Sequence, residues 1–292
     1  MSKAGLMMME QKTAGNLDAE TVDSFGDEWS RFDQTDLDAE EHHRLFEAYF
    51  EIFPWQALEP DARGFDMGCG SGRWARLVAP RVGNLVCIDP SPAALDVARR
   101  ALAGEGNVHF VEAPANAVPL DPASMDFGYS LGVLHHIPDT RAALRACVSL
   151  LKPGAPFLLY LYYRFDNRPW WFRLLWKASE VVRGTVSRLP ERAKHLTTDV
   201  IAALVYWPLA RLARLLEKTG MKVGGLPLSF YRNTSFYTMR TDSRDRFGTP
   251  LEQRFTRAEM EDMMRGAGLE DIAFSDTEPF WVGIGHKTRT PR

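Results

Sequence analysis

Apolar positions along the chain follow two different periods. Between residues 61 and 163, short apolar runs alternate with helical stretches. "RGFDMG" predicts a strand and "GRWARLVAP" a helix, "NLVCIDP" a strand and "SPAALDVARRAL" a helix, and "VHFVEA" a strand; "MDFGYSL" is a strand, "DTRAALRACVSLL" a helix and "APFLLYLYY" a strand. Strands separated by helices on short connections are the signature of βαβ units, with right-handed crossovers and a parallel sheet. Ahead of them, Leu45, Phe46, Tyr49, Phe50 and Phe53 recur at helical spacing until Pro54 ends the run. This predicts one helix, preceded by a loop carrying Phe25, Trp29 and Phe32.

The alternation stops at Arg164. Two apolar helical segments, "NRPWWFRLLWKASEVVRG" and "DVIAALVYWPLARLARLLEKTG", fill the chain to about Asn233 and read as an insertion. "TRAEMEDMMRGAGL" then opens on the capping box Thr256/Glu259 and closes at Gly266 or Gly268, so it predicts a helix. "DIAFSD" and "FWVGIGHK" follow as an antiparallel pair. The layout expected is a disordered stretch over residues 1–17, a helical cap over 18–60 and a cofactor-binding core over 61–164. The insertion takes 165–240, and the closing helix and strand pair take 241–292.

Composition narrows the class. With 45% hydrophobic and 25% charged residues the chain is an ordinary globular one, and a net charge of −3 supplies no basic field that would draw it to nucleic acid. Three scattered cysteines make neither a disulfide framework nor a zinc site, and the first residues do not read as a signal peptide, so a reducing cytoplasm fits best. No metal set is expected: the seven histidines are scattered, and His42-His43 falls on a solvated helix pattern.

The chemistry begins at "GFDMGCGSGRWARL". Three glycines at a strand-to-helix turn permit positive φ and close approach of a ligand, which then meets the amino end of the next helix. The spacing Gly68-Cys69-Gly70-Ser71-Gly72 is one residue tighter than the dinucleotide G-x-G-x-x-G. Asp66, just upstream, would repel a pyrophosphate and suits a ligand carrying an ammonium or sulfonium. Asp89, 21 positions after Gly68 at the end of "NLVCID", sits where an acidic side chain accepts hydrogen bonds from ribose hydroxyls. Together these disfavour a nicotinamide oxidoreductase.

At these residues, and at "GVLHHIPD" after the fourth strand, the chain resembles the class I S-adenosylmethionine-dependent methyltransferases of small-molecule type. The resemblance is close over Gly64 to Tyr163 and looser over Phe255 to Lys287. It implies an α/β, Rossmann-like, seven-stranded, mostly parallel sheet with the last strand antiparallel, and the cofactor S-adenosyl-L-methionine, released as S-adenosyl-L-homocysteine. Carried over by position, Asp66 and the Gly68, Cys69, Gly70, Ser71, Gly72 loop would hold the methionine moiety. Asp89 would hold the ribose, Pro90 the adenine face, and the backbone of Leu131 and Gly132 the methionine amino group. Pro114 departs from the family's acidic residue, so Glu112, Asn116 or the Ala115 backbone must read the adenine. Nucleic-acid members that modify exocyclic amines carry Asn/Asp-Pro-Pro-aromatic after the fourth strand, where this chain has "SLGVLHH".

For the transfer itself, His135 and His136 stand beside the site with a pKa range suited to proton transfer, His136 first, although a histidine here can equally serve to fix its loop. Tyr162, Tyr163 and Arg164 after the fifth strand are expected near the mouth, whereas Tyr231–Asn233 and Glu252–Arg254 read as surface loops. The acceptor is a small molecule, apolar or aromatic in one reading, with a lipid acceptor or a non-catalytic cofactor-binding protein as alternatives. The insertion, with Trp170, Trp171, Trp176 and Trp207 among Arg and Lys, has three readings: a packing lid, a lid lining an apolar-acceptor cavity, or a surface docking on a membrane. Its uncharged run from Val200 to Ala210 has eleven residues and contains Pro208, too short to span a bilayer.

Overall fold

A computed structural model of the chain describes residues 16–289, so the expectation for 1–17 falls outside the described residues up to residue 15. The chain divides into two compact units, one built from Met1–Asp33, Leu45–Tyr163 and Leu251–Arg292, the other from Gln34–Arg44 and Arg164–Pro250.

Helix α1 (Ala19–Arg31) starts where the Asp18 carboxylate accepts the Thr21 N–H at 2.9 Å. It corrects the expected loop, since Phe25 and Trp29 are helical and Phe32 closes the last turn. The residues it buries are Thr21, Ser24, Gly26 and Glu28, small or polar, so no apolar period marked the element. Helix α2 (Ala39–Phe50) buries Leu45, Phe46 and Phe50, and His42 too is buried rather than solvated.

The sheet unit continues with β1 (Arg63–Met67), the single turn α3 (Ala75–Val78), β2 (Asn84–Asp89), α4 (Pro92–Ala101), β3 (Val108–Glu112), β4 (Phe127–Leu131), α5 (Thr140–Leu150) and β5 (Pro156–Tyr160). Helix α4 begins with Ser91 accepting the Ala94 N–H and Pro92 in its first turn; α5 begins with Asp139 accepting the Ala142 N–H. The second unit carries α6 (Trp170–Val186), α7 (Glu191–Ile201), a wide turn over Ala202–Tyr206, α8 (Trp207–Lys218) and α9 (Phe236–Gly248). The chain returns to the sheet unit with α10 (Arg257–Gly266), whose Thr256/Glu259 capping box is formed, then β6 (Leu269–Phe274) and β7 (Val282–Lys287).

The seven strands lie in the order β3-β2-β1-β4-β5-β7-β6, parallel except for β7, which runs antiparallel to both neighbours. Successive strand residues feed opposite faces. Leu85, Cys87, Tyr129 and Leu158 join one apolar layer with Phe46 and Leu95; Phe65, Ile88, Phe157 and Leu159 join the other with Leu144 and Met264. Each fully buried side chain of this size stabilises the fold by about 1.5–3 kcal/mol. In the centre, Phe127 lies over Gly64 and Phe65 over Gly128, the residues opposite them in register; a methyl group at either glycine would sit 2.1 or 2.4 Å from the facing ring. The strand order reverses between β1 and β4, and in open sheets the carboxyl ends at such a switch point form the ligand crevice.

The second unit is organised differently. Its apolar core is small, centred on Val186, Tyr206, Ala210, Met239 and Phe247. Much of its interior is polar. Fully buried Arg244 pairs with Glu191 at 2.9 Å, nearly buried Lys194 pairs with the same carboxylate at 2.7 Å, and Arg240 makes two 3.0 Å bonds to Asp199. Glu41 accepts from the Ser235 N–H and the Thr238 hydroxyl, and Arg246 pairs with Glu180. Helix α9 was not predicted because its buried face is Thr238, Thr241, Ser243 and Arg244 as much as Met239 and Phe247, a face without hydrophobic period.

Candidate active site

The glycine loop leaves β1 at the switch point. Its glycines all take positive φ, 77° at Gly68, 51° at Gly70 and 77° at Gly72. The N–H groups of Gly68 and Cys69 both donate to the Ile88 carbonyl, at 2.8 and 3.0 Å, lashing the loop to the end of β2. Asp89 does the rest: Oδ2 accepts the Gly70 N–H at 3.0 Å and Oδ1 the Ser91 N–H at 2.9 Å. The carboxylate therefore holds the loop and the start of α4 in place, and each oxygen keeps a second lone pair. At Gly70 the approach is close, for a Cβ there would lie 2.8 Å from Trp29 Nε1; the indole of α1 rests on the loop.

Asp66 is buried at 1% exposure, and its Oδ2 has no hydrogen-bond partner among the described residues. Burial pushes its carboxyl up to about 8, against a smaller lowering by the Tyr129 phenol, with the Asp89 charge adding to the rise. Asp89 is raised to about 6, again by burial, with the Ser91 and Gly70 N–H groups pulling the other way. Leaving a buried polar atom unpaired costs about 1–3 kcal/mol, and Ser71 Oγ nearby is likewise buried without a partner. Two carboxylates and a hydroxyl thus converge on a loop built for backbone approach. Gly132, at φ 79°, gives its N–H to the Tyr160 carbonyl at 3.0 Å, so only its oxygen can serve an ammonium. Leu131 is buried and Pro90 half-buried, while Glu112 at the end of β3 and Asn116 beyond it are exposed, where Pro114 and Ala117 close a turn.

A second cluster forms around the short turn Leu134–His136, which buries both histidines. His135 is fully enclosed, 4.0 Å from the rings of both His136 and Tyr162, with neither ring nitrogen hydrogen-bonded. Burial, then the neighbouring His136 and Arg254, hold its pKa well below the ordinary histidine range, so it is a neutral packing group near neutrality. His136 is placed otherwise. Its Nδ1 lies 2.6 Å from the Leu251 carbonyl, and a carbonyl only accepts. Nδ1 therefore carries the proton, and the basic lone pair of the neutral ring is at Nε2. Phe25 of α1 meets the ring edge-on at 4.9 Å.

The segment expected as a surface loop, Glu252–Arg254, belongs to this cluster instead. Arg254 donates to Glu252 at 2.7 Å and to the Tyr163 carbonyl at 3.2 Å, and its guanidinium lies 5.1 Å from the Tyr162 ring centre. Gln253 donates through its backbone to the His135 carbonyl and through its side chain to Ile137. Alternating charges in "EQR" were the available signal, but only the tertiary return of the chain buries them. Tyr163 contributes its carbonyl here, and its ring lies 5.9 Å from Phe280. Arg164 opens the second unit, and Tyr231–Asn233 lies in that unit too, with Arg232 paired to Glu217. Tyr160 stands between Tyr49 and Tyr162 at 5.1 and 6.0 Å, and Tyr49 reaches Trp74 at 4.8 Å, an aromatic wall assembled from separate stretches of the chain.

Residues 65–159 match the family described as "Methyltransferase domain". Over 191 residues the chain is 30% identical to the ubiquinone biosynthesis O-methyltransferase of Xanthomonas axonopodis pv. citri (strain 306), covering 63% of this chain and 74% of that one. The enzyme of the same name from Xanthomonas campestris pv. campestris (strain B100) is 28% identical over 234 residues, 80% of this chain and 94% of that one. Among solved structures, the methyltransferase in complex with the Haloferax volcanii Trm112 methyltransferase activator superposes with a TM-score of 0.53 at 16% identity, over 93% of this chain and 99% of that chain, which is a likeness of fold.

Proposed function

The chain belongs to the S-adenosylmethionine-dependent methyltransferases of Rossmann-like fold, acting on small molecules, and on that premise we propose that its acceptor atom is a hydroxyl oxygen on an apolar or aromatic molecule and that His136 takes the hydroxyl proton. The residues present fit the family's cofactor. Asp66, buried with an orphaned oxygen, would hold its ammonium; Asp89 would offer its second lone pairs to the ribose hydroxyls. The loop Gly68 to Gly72 would lie against its methionine part, with the Leu131 and Gly132 carbonyls beside the ammonium, and Pro90 and Asn116 would flank the adenine. When bound, that cofactor supplies a methyl group on a positively charged sulfur, already activated for in-line displacement.

What remains for the protein is to orient the acceptor and remove its proton, and orientation alone can supply about 7–11 kcal/mol. A phenolic hydroxyl has a pKa of about 10 and reacts poorly until deprotonated. His136 Nε2 would accept that proton while the Leu251 carbonyl holds the ring by its Nδ1–H, and Tyr160, Tyr162 and Tyr49 would pack against an aromatic ring and keep water away. The relatives' name, an O-methyltransferase of ubiquinone biosynthesis, supports oxygen as the acceptor atom. Tyr163 and Arg164, grouped with the histidines in the sequence, enter this reading only through the Tyr163 carbonyl. We place the enzyme in a reducing compartment, consistent with three buried free cysteines.

The observation that carries the proposal is the fixed tautomer of His136. His136→Ala should lower the turnover of a labelled-methyl assay on hydroxylated aromatics by about 10²–10⁴ while leaving cofactor affinity within twofold, about the margin set by calorimetric error. Turnover near the wild-type rate would sink the base assignment.

A further inference from the structure

The second unit is apolar on its outside. Seventeen large apolar side chains are exposed among the described residues, and all lie between Trp170 and Phe236; the sheet unit contributes none. On α6 they form one stripe. Trp170, Leu174 and Val181, exposed at 70, 60 and 74%, recur at helical spacing with Trp171, Leu175 and Val182 alongside. The opposite side of the same helix carries Ser179, Glu180 and Arg183, which bond inward to Arg246 and to the carbonyls of Thr249 and Pro250. Helix α8 repeats the arrangement, with Leu212 and Leu215 outward and Ala210 and Ala213 buried, and Leu204 at 71% exposure precedes it. Apolar patches of this extent mark interaction sites.

Charge says what covers them. Residues 164–222 hold twelve Arg and Lys against five Asp and Glu. Glu180, Glu191, Asp199 and Glu217 are all taken by arginines or lysines within the unit. Seven exposed cations, Arg173, Lys177, Arg188, Arg192, Arg214, Lys218 and Lys222, have no ion pair among the described residues. Arg173 and Lys177 stand one turn apart along the border of the α6 stripe, and Arg214 and Lys218 do the same on α8. Tryptophan and leucine bordered by unpaired cations is the composition that inserts into a headgroup boundary.

We propose that this outer face of the second unit docks on the surface of a bilayer carrying anionic phospholipid. A second copy of the chain fits less well, because a twofold interface would set the same unpaired cations against one another. Docking is peripheral: among the described residues no helix is long and apolar enough to cross a membrane. The proposal stands apart from the methyl-transfer reading, since binding to lipid requires neither the cofactor nor the acceptor.

The test is co-sedimentation of the full chain with phosphatidylglycerol vesicles and with phosphatidylcholine vesicles, with calorimetric affinity for S-adenosylmethionine as a folding control. The chain should pellet with phosphatidylglycerol, far less with phosphatidylcholine, and be released by salt. R173Q/K177Q should weaken partitioning about 25-fold, about fivefold for each charge lost, and W170S/W171S should weaken it as well; both should bind cofactor like the wild type. Wild-type chain left in the supernatant with phosphatidylglycerol would overturn the proposal, and so would equal binding by R173Q/K177Q. A dimer in light scattering that W170S/W171S abolishes would overturn it in favour of self-association. Vesicle binding without cofactor binding would leave docking standing and break the methyl-transfer reading alone.

Discussion

The two units solve the same problem with opposite chemistry. The sheet unit buries Phe65, Ile88, Phe127 and Phe157, and at the ligand end of its strands it buries the carboxylates Asp66 and Asp89, with one Asp66 oxygen unmatched among the described residues. The second unit buries Arg244 and Lys194 against one shared carboxylate, Glu191, and turns tryptophan and leucine outward. An unmatched buried charge is expensive and implies a ligand, whereas a matched one implies only architecture. What sets the second unit apart is instead its exposed apolar face.

The sharpest way to break this contrast is to truncate comparable residues in each unit. Phe157→Ala should destabilise the sheet unit by about 3–5 kcal/mol in denaturant unfolding, because the ring is fully enclosed. A cost under about 1 kcal/mol would mean the sheet core is not the apolar one described. Next comes pH. Below about 8 the empty-site Asp66 carries a proton that must leave before an ammonium can pair with it. Affinity for S-adenosylmethionine should therefore rise by up to about tenfold per pH unit between roughly 6 and 8 and then level. Proton release, read as a dependence of binding heat on the buffer, should accompany it, and Asp66→Asn should flatten the slope; a flat wild-type profile would refute the pairing.

In the second unit the sensitive substitution is a charged one. Glu191→Ala removes the carboxylate shared by buried Arg244 and Lys194 and should cost about 1–3 kcal/mol, below the range for a fully buried pair because Glu191 is 46% exposed. The smallest effect is expected at Leu174→Ala, within about 0.5 kcal/mol in the absence of lipid. A larger loss there would show that the outward stripe is covered by the chain itself.

Much of the sheet unit was legible beforehand because its elements advertise themselves. Fully buried parallel strands such as "FGYSL" and "PFLLY" read as short apolar runs, and Thr256/Glu259 marks a helix start by local chemistry. The order of Asp66, the three glycines and Asp89 follows from one strand-turn-helix-strand passage, so spacing along the chain carries it. Helices α1 and α9 escaped notice because what they bury is polar, and a period is visible only when burial and hydrophobicity coincide. Arg254 escaped for another reason: the Tyr163 carbonyl to which it donates lies 91 residues away.

The sequence by itself determined the βαβ alternation, the carboxylates flanking a tight glycine turn, and hence the class of cofactor, because each depends on residues close together in the chain. Tertiary structure decided which histidine has a fixed tautomer, since that rests on a carbonyl 115 residues distant. It also decided that Trp170 and Trp171 of α6 face outward. Whether an apolar stripe becomes core or surface is set by what the opposite face can bond, and in this unit Glu180 and Arg183 bond inward.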